Sequence, residues 1–446
     1  MAGRMRSVRS DQVIVVGAGI AGLTAAHRLA AAGLQVSVLE AEHGPGGRMS
    51  TQAVGGGLME RGAQFLSTGY EIIPELLRTL GLADQFVKVS GRTMAVDGDR
   101  SWWFDTDRPQ SLLSGGLLRV RDVIPAARGQ WATRKLAARS TNDLGRWSDL
   151  DGHSGLEWAQ ARFGFGVAHR VTSLTVHGLF FQELAANSAA LPGALTAFLA
   201  RASSAYTLRG GLGTLTTALA AKLDVEYDVR VERVERPDSP GGRVTITTSR
   251  GPREADAVMI ATPAGPTTRM LPDPTPDEAA VLRTPYSCGL LAGLALAEPL
   301  ADDELGGAYG VLVTPSSPSP LAAIAVYSRA DATAAGEVLT VMFRQDAARR
   351  LTDADDGEVR AAAVDAVAPW LPGLADRVIA SQVTRWHEAM PYIPVGHGAA
   401  VQRYRDRLPS ASPVLLAGDY LNFPWTDSAA YNGRWAADRL IADHAG

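Results

Sequence analysis

The sequence predicts an α/β fold in which a parallel sheet wound with helices is assembled from three separated segments, with an α+β region inserted between them. Three observations lead there. A glycine-punctuated strand, helix and strand fill residues 13–40, a second glycine cluster follows at once, and buried-strand patterns return in the middle and at the end of the chain.

The opening run is Val13-Ile14-Val15-Val16-Gly17-Ala18-Gly19-Ile20-Ala21-Gly22. An apolar run that ends in glycine reads as a buried parallel strand. Gly17 allows the tight turn, Gly19 lets a pyrophosphate approach the backbone, and Gly22 lets the next helix pack against the strand. The spacing of Leu23, Ala26, Leu29 and Ala30 predicts a helix from about Ile20 to Ala32, which Gly33 caps. Val36-Ser37-Val38-Leu39 then reads as a second strand delivering Glu40 and Ala41, and Glu40 is placed to accept both hydroxyls of a ribose. A bound dinucleotide follows from strand, helix, strand and acid in this order.

Gly44-Pro45-Gly46-Gly47-Arg48-Met49 comes where a simple NAD fold would continue into a helix. A second glycine turn there would flank the same pyrophosphate. Gly46 and Gly47 leave room for it, and Arg48 supplies a charge-assisted donor. Together the two turns point to FAD.

These residues resemble the FAD-binding start of the flavin amine oxidase and protoporphyrinogen oxidase superfamily, which includes phytoene desaturases and renalases. The resemblance continues through Glu60-Arg61-Gly62-Ala63-Gln64-Phe65, where it implies a lining for the isoalloxazine ring. It resumes at Tyr206 to Leu215 and at the strand pattern Val225 to Val234, where it implies that the Val231 backbone meets the adenine. Ala255 to Pro263 reads as a buried strand bringing Thr262 beside the nucleotide. Trp386 to Tyr392 with Gly396-His397 is similar to a family pattern that sets Trp386 against the flavin. The last match is Val414-Leu415-Leu416-Ala417-Gly418-Asp419-Tyr420, with Asp427 to Arg434 opening the final helix. It implies that Gly418 and Asp419 face the ribityl or phosphate region. Free N–H groups near Ser428, Ala429 and Ala430 would face the flavin and stabilise its reduced anion through the helix dipole. Asp427 or Ser428 is equally suited to capping that helix.

The implied architecture is a Rossmann-like, glutathione-reductase-like FAD domain built from 1–80, 206–285 and 401–446. Residues 81–205 and 286–400 would form the substrate-binding domain. The first insertion shows strand signals at Ser101-Trp102-Trp103-Phe104 and helical stretches from Leu112 to Ala202. The second alternates strands such as Val338 to Phe343 with a helix across Gly357 to Trp370, a floor for the flavin. Leu271 to Pro276 and Pro315 to Pro320 read as loops.

Composition narrows the function. A net charge of −4 predicts no nucleic-acid partner, and one cysteine, Cys288, excludes a disulfide framework or cysteine metal cluster. A reducing, cytoplasmic setting is expected. No metal-ligand spacing appears. The basic start from Arg4 to Arg9 leads straight into the first strand, so no signal peptide is expected, and no segment approaches a membrane span. Residues 112–139 carry Arg119, Arg121, Arg128, Arg134, Lys135 and Arg139 among apolar residues, which suits either an anionic surface or solvated helices.

Lysines occur only at 88, 135 and 222. Amine oxidases of the family usually place a lysine near flavin N5 from the second insertion, so its absence favours a protoporphyrinogen-oxidase-like or desaturase-like enzyme. Cys288 lies outside the C-terminal motif used for covalent attachment in some relatives, so FAD is expected to bind noncovalently. Phe181, Tyr392 and Trp425 are candidate substrate walls, with Phe65, Phe180 and Phe423 beside them. His387 and His397 read as hydrogen-bonded structural groups. The leading expectation is an FAD-dependent oxidase or desaturase taking a hydride from a C–H bond of a largely apolar small molecule, with O2 or another acceptor. A flavin amine oxidase, a redox-neutral isomerase and a non-catalytic binding protein on the same fold stand as alternatives.

Overall fold

The computed structural model describes residues 12–201, 204–239 and 241–445; Arg4 to Arg9 and Ala202 lie outside them. A five-stranded sheet runs in the order Asp224–Glu226, Gln35–Leu39, Gln12–Val16, Ala257–Ile260 and Val414–Leu416, parallel throughout. Its strands come from three distant stretches of chain. Val13 and Val15 pack into one core and Ile14 and Val16 into another, which explains an uninterrupted apolar run: both faces are covered. The helices Ile20–Ala31 and Thr426–Ala445 cross closely, because a Cβ on Gly433 would lie 2.0 Å from the Ala21 carbonyl oxygen. Gly33, at φ +89°, ends the first helix, and the Leu34 N–H reaches back to the Leu29 carbonyl at 3.2 Å.

The second layer is a seven-stranded mixed sheet, ordered Val378–Pro391, Tyr286–Leu296, Glu337–Phe343, Leu321–Val326, Gly310–Val313, Arg92–Asp97 and Arg100–Asp105. The tryptophan-bearing hairpin of the first insertion thus joins the strands of the second. From Cys288 on, the strand Tyr286–Leu296 alternates between two cores. Cys288, Leu290, Ala292, Leu294 and Leu296 enter a core covered by the helix Asp356–Val367, whereas Leu291 and Ala295 enter the core that holds Phe181, Tyr309 and Trp386. Gly293 has no side chain because Met59 Sδ would lie 2.5 Å from its Cβ, so the strand Gly57–Glu60 rests on the sheet there.

Two sequence expectations change. The run Val225 to Val234 is two strands in different sheets, Asp224–Glu226 and Val231–Glu235, because Asp228 adopts φ +58° and the Val229 N–H turns to the Glu40 carbonyl at 2.8 Å. Pro276 is the first residue of the helix Pro276–Leu282, entered through a Thr275–Glu278 capping box, and so ends the loop one residue early. No helix among the described residues is long and apolar enough to cross a membrane.

Candidate active site

The two glycine turns meet. The Gly17 N–H bonds the Leu39 carbonyl at 2.8 Å, the Gly46 N–H bonds the Ala18 carbonyl at 2.8 Å, and Gly19 bridges Gly46. Gly17 and Gly46 hold φ of +101° and +107°. The first helical bond to close runs from the Leu23 N–H to the Gly19 carbonyl at 2.9 Å, which leaves the Ile20, Ala21 and Gly22 amides at the helix mouth. A Cβ on Gly22 would strike the Gly17 carbonyl oxygen at 2.0 Å, whereas a Cβ on Gly19 would meet nothing within 4 Å. Gly22 serves packing; Gly19 borders an open cradle.

Glu40 lies beside that cradle, with Ala41 half-buried next to it. Its Oε2 accepts the Ala18 N–H at 2.6 Å and its Oε1 the Glu42 N–H at 2.9 Å. Burial raises its pKa against the pull of these N–H groups. Each carboxylate oxygen keeps a further lone pair for a hydroxyl. The chain after Glu40 is tied to Val229, two residues before Val231, which is buried at the start of its strand. Thr262, just past the strand Ala257–Ile260, has its methyl 3.4 Å from where a Gly17 Cβ would stand.

Arg48 is committed rather than free. Its Nη1 donates to Asp419 Oδ2 at 2.6 Å and its Nη2 to Oδ1 at 3.1 Å, and Nη1 also reaches the Ala389 carbonyl. The Tyr286 hydroxyl donates to Asp419 Oδ1 at 3.4 Å. Burial opposes the guanidinium charge, but Asp419 above all restores it, so the Arg48 pKa lies above the ordinary arginine value. Thus the two residues expected singly beside the phosphate and the ribityl chain form one clamp, with Gly418 at φ +144° delivering Asp419.

Gly62 is pressed against Arg48: a Cβ would meet the Arg48 carbonyl oxygen at 2.3 Å, and the Ala63 N–H bonds the same oxygen at 2.9 Å. The Gln64 amide donates to the Gly62 carbonyl at 2.9 Å, and the Gln64 carbonyl accepts the Tyr309 hydroxyl at 2.9 Å. Phe65 meets Tyr309 edge to face, with centroids 6.5 Å apart. Trp386 Nε1 donates to the Arg61 carbonyl at 2.6 Å, and the Arg61 guanidinium lies over its ring.

Of the three candidate substrate walls, Phe181 shares a core with Phe65, Trp386, Tyr309 and Tyr327. The other two lie elsewhere. Trp425 stacks on Phe423 at 4.7 Å, and its Nε1 donates to Asn142 Oδ1 at 3.3 Å. The Tyr392 hydroxyl donates to Gln345 Oε1 at 3.1 Å. None of the three lysines enters the aromatic core: Lys135 and Lys222 are exposed, and Lys88 pairs with Asp107 at 2.9 Å. His397 is buried and bonds the Tyr420 carbonyl at 2.7 Å, with burial lowering its pKa, while His387 is exposed. Cys288 is buried on the opposite face of its strand from this core.

The final helix corrects a third expectation. It begins at Thr426, and the Ala429 N–H is already bonded to the Trp425 carbonyl at 3.1 Å, so the helix-mouth amides are those of Thr426, Asp427 and Ser428 rather than those of Ala429 and Ala430. Asp427 caps a different helix: its carboxylate accepts the N–H groups of Glu71, Ile72 and Ile73 at 2.8, 2.9 and 2.8 Å. It also accepts Asn142 Nδ2 at 2.6 Å, while the Ser428 hydroxyl donates to Asn142 Oδ1 at 3.2 Å. Sequence reasoning passed over Asn142 and Tyr309, and named Glu60 only within the Glu60 to Phe65 match. Only Glu60 carried a local signal, an ionisable residue closing the buried strand Gly57–Glu60. It accepts the Leu212 N–H at 2.8 Å and the Thr51 hydroxyl at 2.8 Å, and burial pushes its pKa up to about 8.

The fit to FAD rests on the cradle at Gly19, the amides around it, the spare acceptors of Glu40 and the second helix mouth at Asp427 and Ser428. Comparison with known proteins agrees. Residues 20–441 match the family model for flavin containing amine oxidoreductase. A coproporphyrinogen III oxidase of Propionibacterium freudenreichii subsp. freudenreichii is 26% identical, over 96% of this chain and 90% of its own. The fold matches a putative protoporphyrinogen oxidase from Exiguobacterium sp. 255-15 with a TM-score of 0.76 at 18% identity, covering 98% of this chain and 100% of that one. It also matches cyclohexylamine oxidase from Brevibacterium oxydans IH-35A with a TM-score of 0.75 at 19% identity, covering 98% and 100%. The protein belongs to the flavin-containing amine oxidoreductase family and is an FAD-dependent oxidoreductase.

Proposed function

We propose that this enzyme is an oxidase or desaturase acting on a C–H bond of a largely apolar small molecule, with a porphyrinogen or a comparable natural-product intermediate as the substrate class. The observation that carries this reading is the core that gathers Phe65, Phe181, Tyr309, Tyr327 and Trp386 among aliphatic side chains and that none of the three lysines enters. The likeness to coproporphyrinogen III oxidase over nearly the whole chain supports it.

FAD, when bound, supplies the two-electron acceptor for the hydride, and O2 or another acceptor takes the electrons onward. On this reading the segments 1–80, 206–285 and 401–446 hold the cofactor, and 81–205 and 286–400 shape the substrate side. Gly17, Gly19, Ile20, Ala21 and Gly22 hold the pyrophosphate at the first helix mouth. Glu40 and Ala41 hold the adenosine ribose, Val231 meets the adenine, and Thr262 lines the nucleotide. Gly46, Gly47 and the Arg48–Asp419 clamp beside Gly418 fix the phosphate and ribityl region. Gly62, Ala63, Gln64, Phe65 and Trp386 line the ring, and the opening of the last helix at Asp427 and Ser428, before Ala429 and Ala430, supplies its positive end. The aromatic side chains exclude water and present a flat wall to the donor, so the residues bind and orient. FAD is held noncovalently, since Cys288 faces the opposite core.

Anaerobic mixing of the purified flavoprotein with porphyrinogens, amines and polycyclic intermediates tests this. Loss of flavin absorbance with a carbon donor and none with simple primary amines is the expected result. Rapid reduction by primary amines would establish an amine oxidase instead. Product formation without bleaching or acceptor would establish an isomerase.

A further inference from the structure

The helix Val120–Thr133 is amphipathic the wrong way round for a helix that only serves a core. Its inward side carries Asp122, Gly129 and Thr133, all buried. Its outward side carries Val120, Ile124 and Trp131, which are 85%, 70% and 68% exposed. Residues 120, 124 and 131 recur at helical spacing, so they form one stripe. Phe165, 62% exposed and stacked on His169 with centroids 4.2 Å apart, is a further exposed aromatic on the adjoining helix Gly155–Val167.

The inverted helix is firmly seated. Asp122 Oδ2 accepts the Arg119 N–H at 2.9 Å and lies 3.3 Å from Arg170 Nη1. A Cβ on Gly129 would stand 2.3 Å from the Phe163 ring, and one on Gly166 would stand 2.3 Å from Asp122. With the inward contacts this tight, the outward stripe stays exposed among the described residues. Exposed apolar surface of this kind, rimmed by polar groups, marks an interaction site.

Charge identifies the partner. Arg119, Arg121, Arg128, Arg134 and Lys135 lie on and around the stripe, all exposed, and among the described residues none forms an ion pair with a carboxylate. The Arg134 guanidinium lies over the Trp131 ring with its carbon 4.1 Å from the centroid. Asp122 is the one acid in the helix, and it faces inward. This basic concentration stands on a chain whose net charge is −4. Apolar and aromatic residues on a surface helix, flanked by unpaired arginines, match the boundary of an anionic phospholipid layer, where the side chains enter the headgroup region and the cations meet lipid phosphates.

We propose that the face of Val120–Thr133, with Phe165, docks this enzyme peripherally on anionic membrane. The experiment is co-sedimentation of the FAD-loaded enzyme with vesicles of phosphatidylcholine alone and of phosphatidylcholine mixed with phosphatidylglycerol. Binding to the mixed vesicles, weak binding to the neutral ones and release by salt are expected. Ile124→Glu/Trp131→Glu and, separately, Arg121→Glu/Arg128→Glu should each weaken partitioning about tenfold or more, with flavin content and melting unchanged because all four side chains are exposed. Failure of the enzyme to bind the mixed vesicles at low salt overturns the proposal, as does undiminished binding by both pairs of substitutions. Light scattering provides the rival outcome: an apolar pair that turns a dimer into a monomer without altering vesicle binding would make this a contact between copies of the chain.

Discussion

Arg48 and Asp419 stand 371 positions apart in the chain and close on each other in a two-pronged ion pair, at 2.6 and 3.1 Å. The pair joins the turn that follows Glu40 to the end of the last parallel strand. Asp419 is almost fully buried and Arg48 about one-quarter exposed, so removal of one partner strands a charge in a poorly hydrated place. Arg48→Met is expected to lower stability by about 3 kcal/mol, at the low end for breaking a buried pair because Arg48 keeps some solvent. Its flavin content on purification should fall as well. Combining it with Asp419→Asn should cost less than the two separate losses added together, which denaturant titration of the four proteins measures.

Much of this site was legible because its chemistry is local. A glycine at φ +101° followed by a helix mouth, and an acid at the end of the next strand, are set by a few consecutive residues, and the structure places them as the sequence implied. The clamp was legible only as two separate residues, since nothing in the order of amino acids says that a guanidinium and a carboxylate will meet. Asp427 illustrates the same limit. Its place at a helix start suggested capping, yet its carboxylate serves the helix Ile72–Thr79, a choice fixed by tertiary packing alone. Trp425 was placed near the site by its neighbours in sequence, but stacking on Phe423 and bonding to Asn142 decide its direction.

Asp427 therefore makes a testable structural claim. Replacement by Ala removes the acceptor for three backbone N–H groups and for Asn142, at an expected cost of about 3 kcal/mol. Asp427→Asn retains one acceptor oxygen and should lose roughly half as much. The helix Ile72–Thr79 should show the largest rise in amide hydrogen exchange, and an exchange map with that segment unchanged would contradict the cap.

Glu60 gives a pH dependence with a definite sign. Its pKa is raised from 4.5 to about 8 in the folded protein, chiefly by burial. Between these values the native state holds a proton that the unfolded chain has released, so this group makes stability fall as pH rises. The slope is about 1.4 kcal/mol per pH unit, present from about pH 4.5 to about pH 8 and absent below. Glu60→Gln, which cannot ionise, should flatten that part of the profile and gain most relative to the parent near pH 8. Urea midpoints measured across this range test both statements.

On the proposed reading Phe181 touches substrate and Trp425 only packs. Phe181 shares its core with Phe65, Tyr309 and Trp386, whereas Trp425 stacks with Phe423 in another. Phe181→Ala is expected to reduce kcat/KM at least about tenfold while flavin content holds, since an aromatic wall that orients a donor acts on the reacting complex. Trp425→Ala should lower the melting temperature, with loss of about 3 kcal/mol, and leave kcat/KM of the folded fraction nearly unchanged. Equal effects of the two on turnover would remove the distinction.

The two glycines of the first helix mouth predict opposite failures. Gly22 has no room: a Cβ would lie 2.0 Å from the Gly17 carbonyl oxygen and 3.2 Å from the Ala261 Cβ. Gly22→Ala must therefore push the helix Ile20–Ala31 off its strand, and low soluble yield or a drop of several degrees in melting temperature is expected even without cofactor. Gly19 has room, with nothing within 4 Å of a Cβ and a backbone at φ −71°, ψ 172° that any residue adopts. Gly19→Ala should fold and melt like the parent apoprotein, yet bind FAD about tenfold or more weakly, because its methyl group enters the space beside the helix-mouth amides proposed to hold the pyrophosphate. Titration of the deflavinated proteins with FAD decides it: parental affinity in Gly19→Ala would mean that the cradle is not where the phosphate lies.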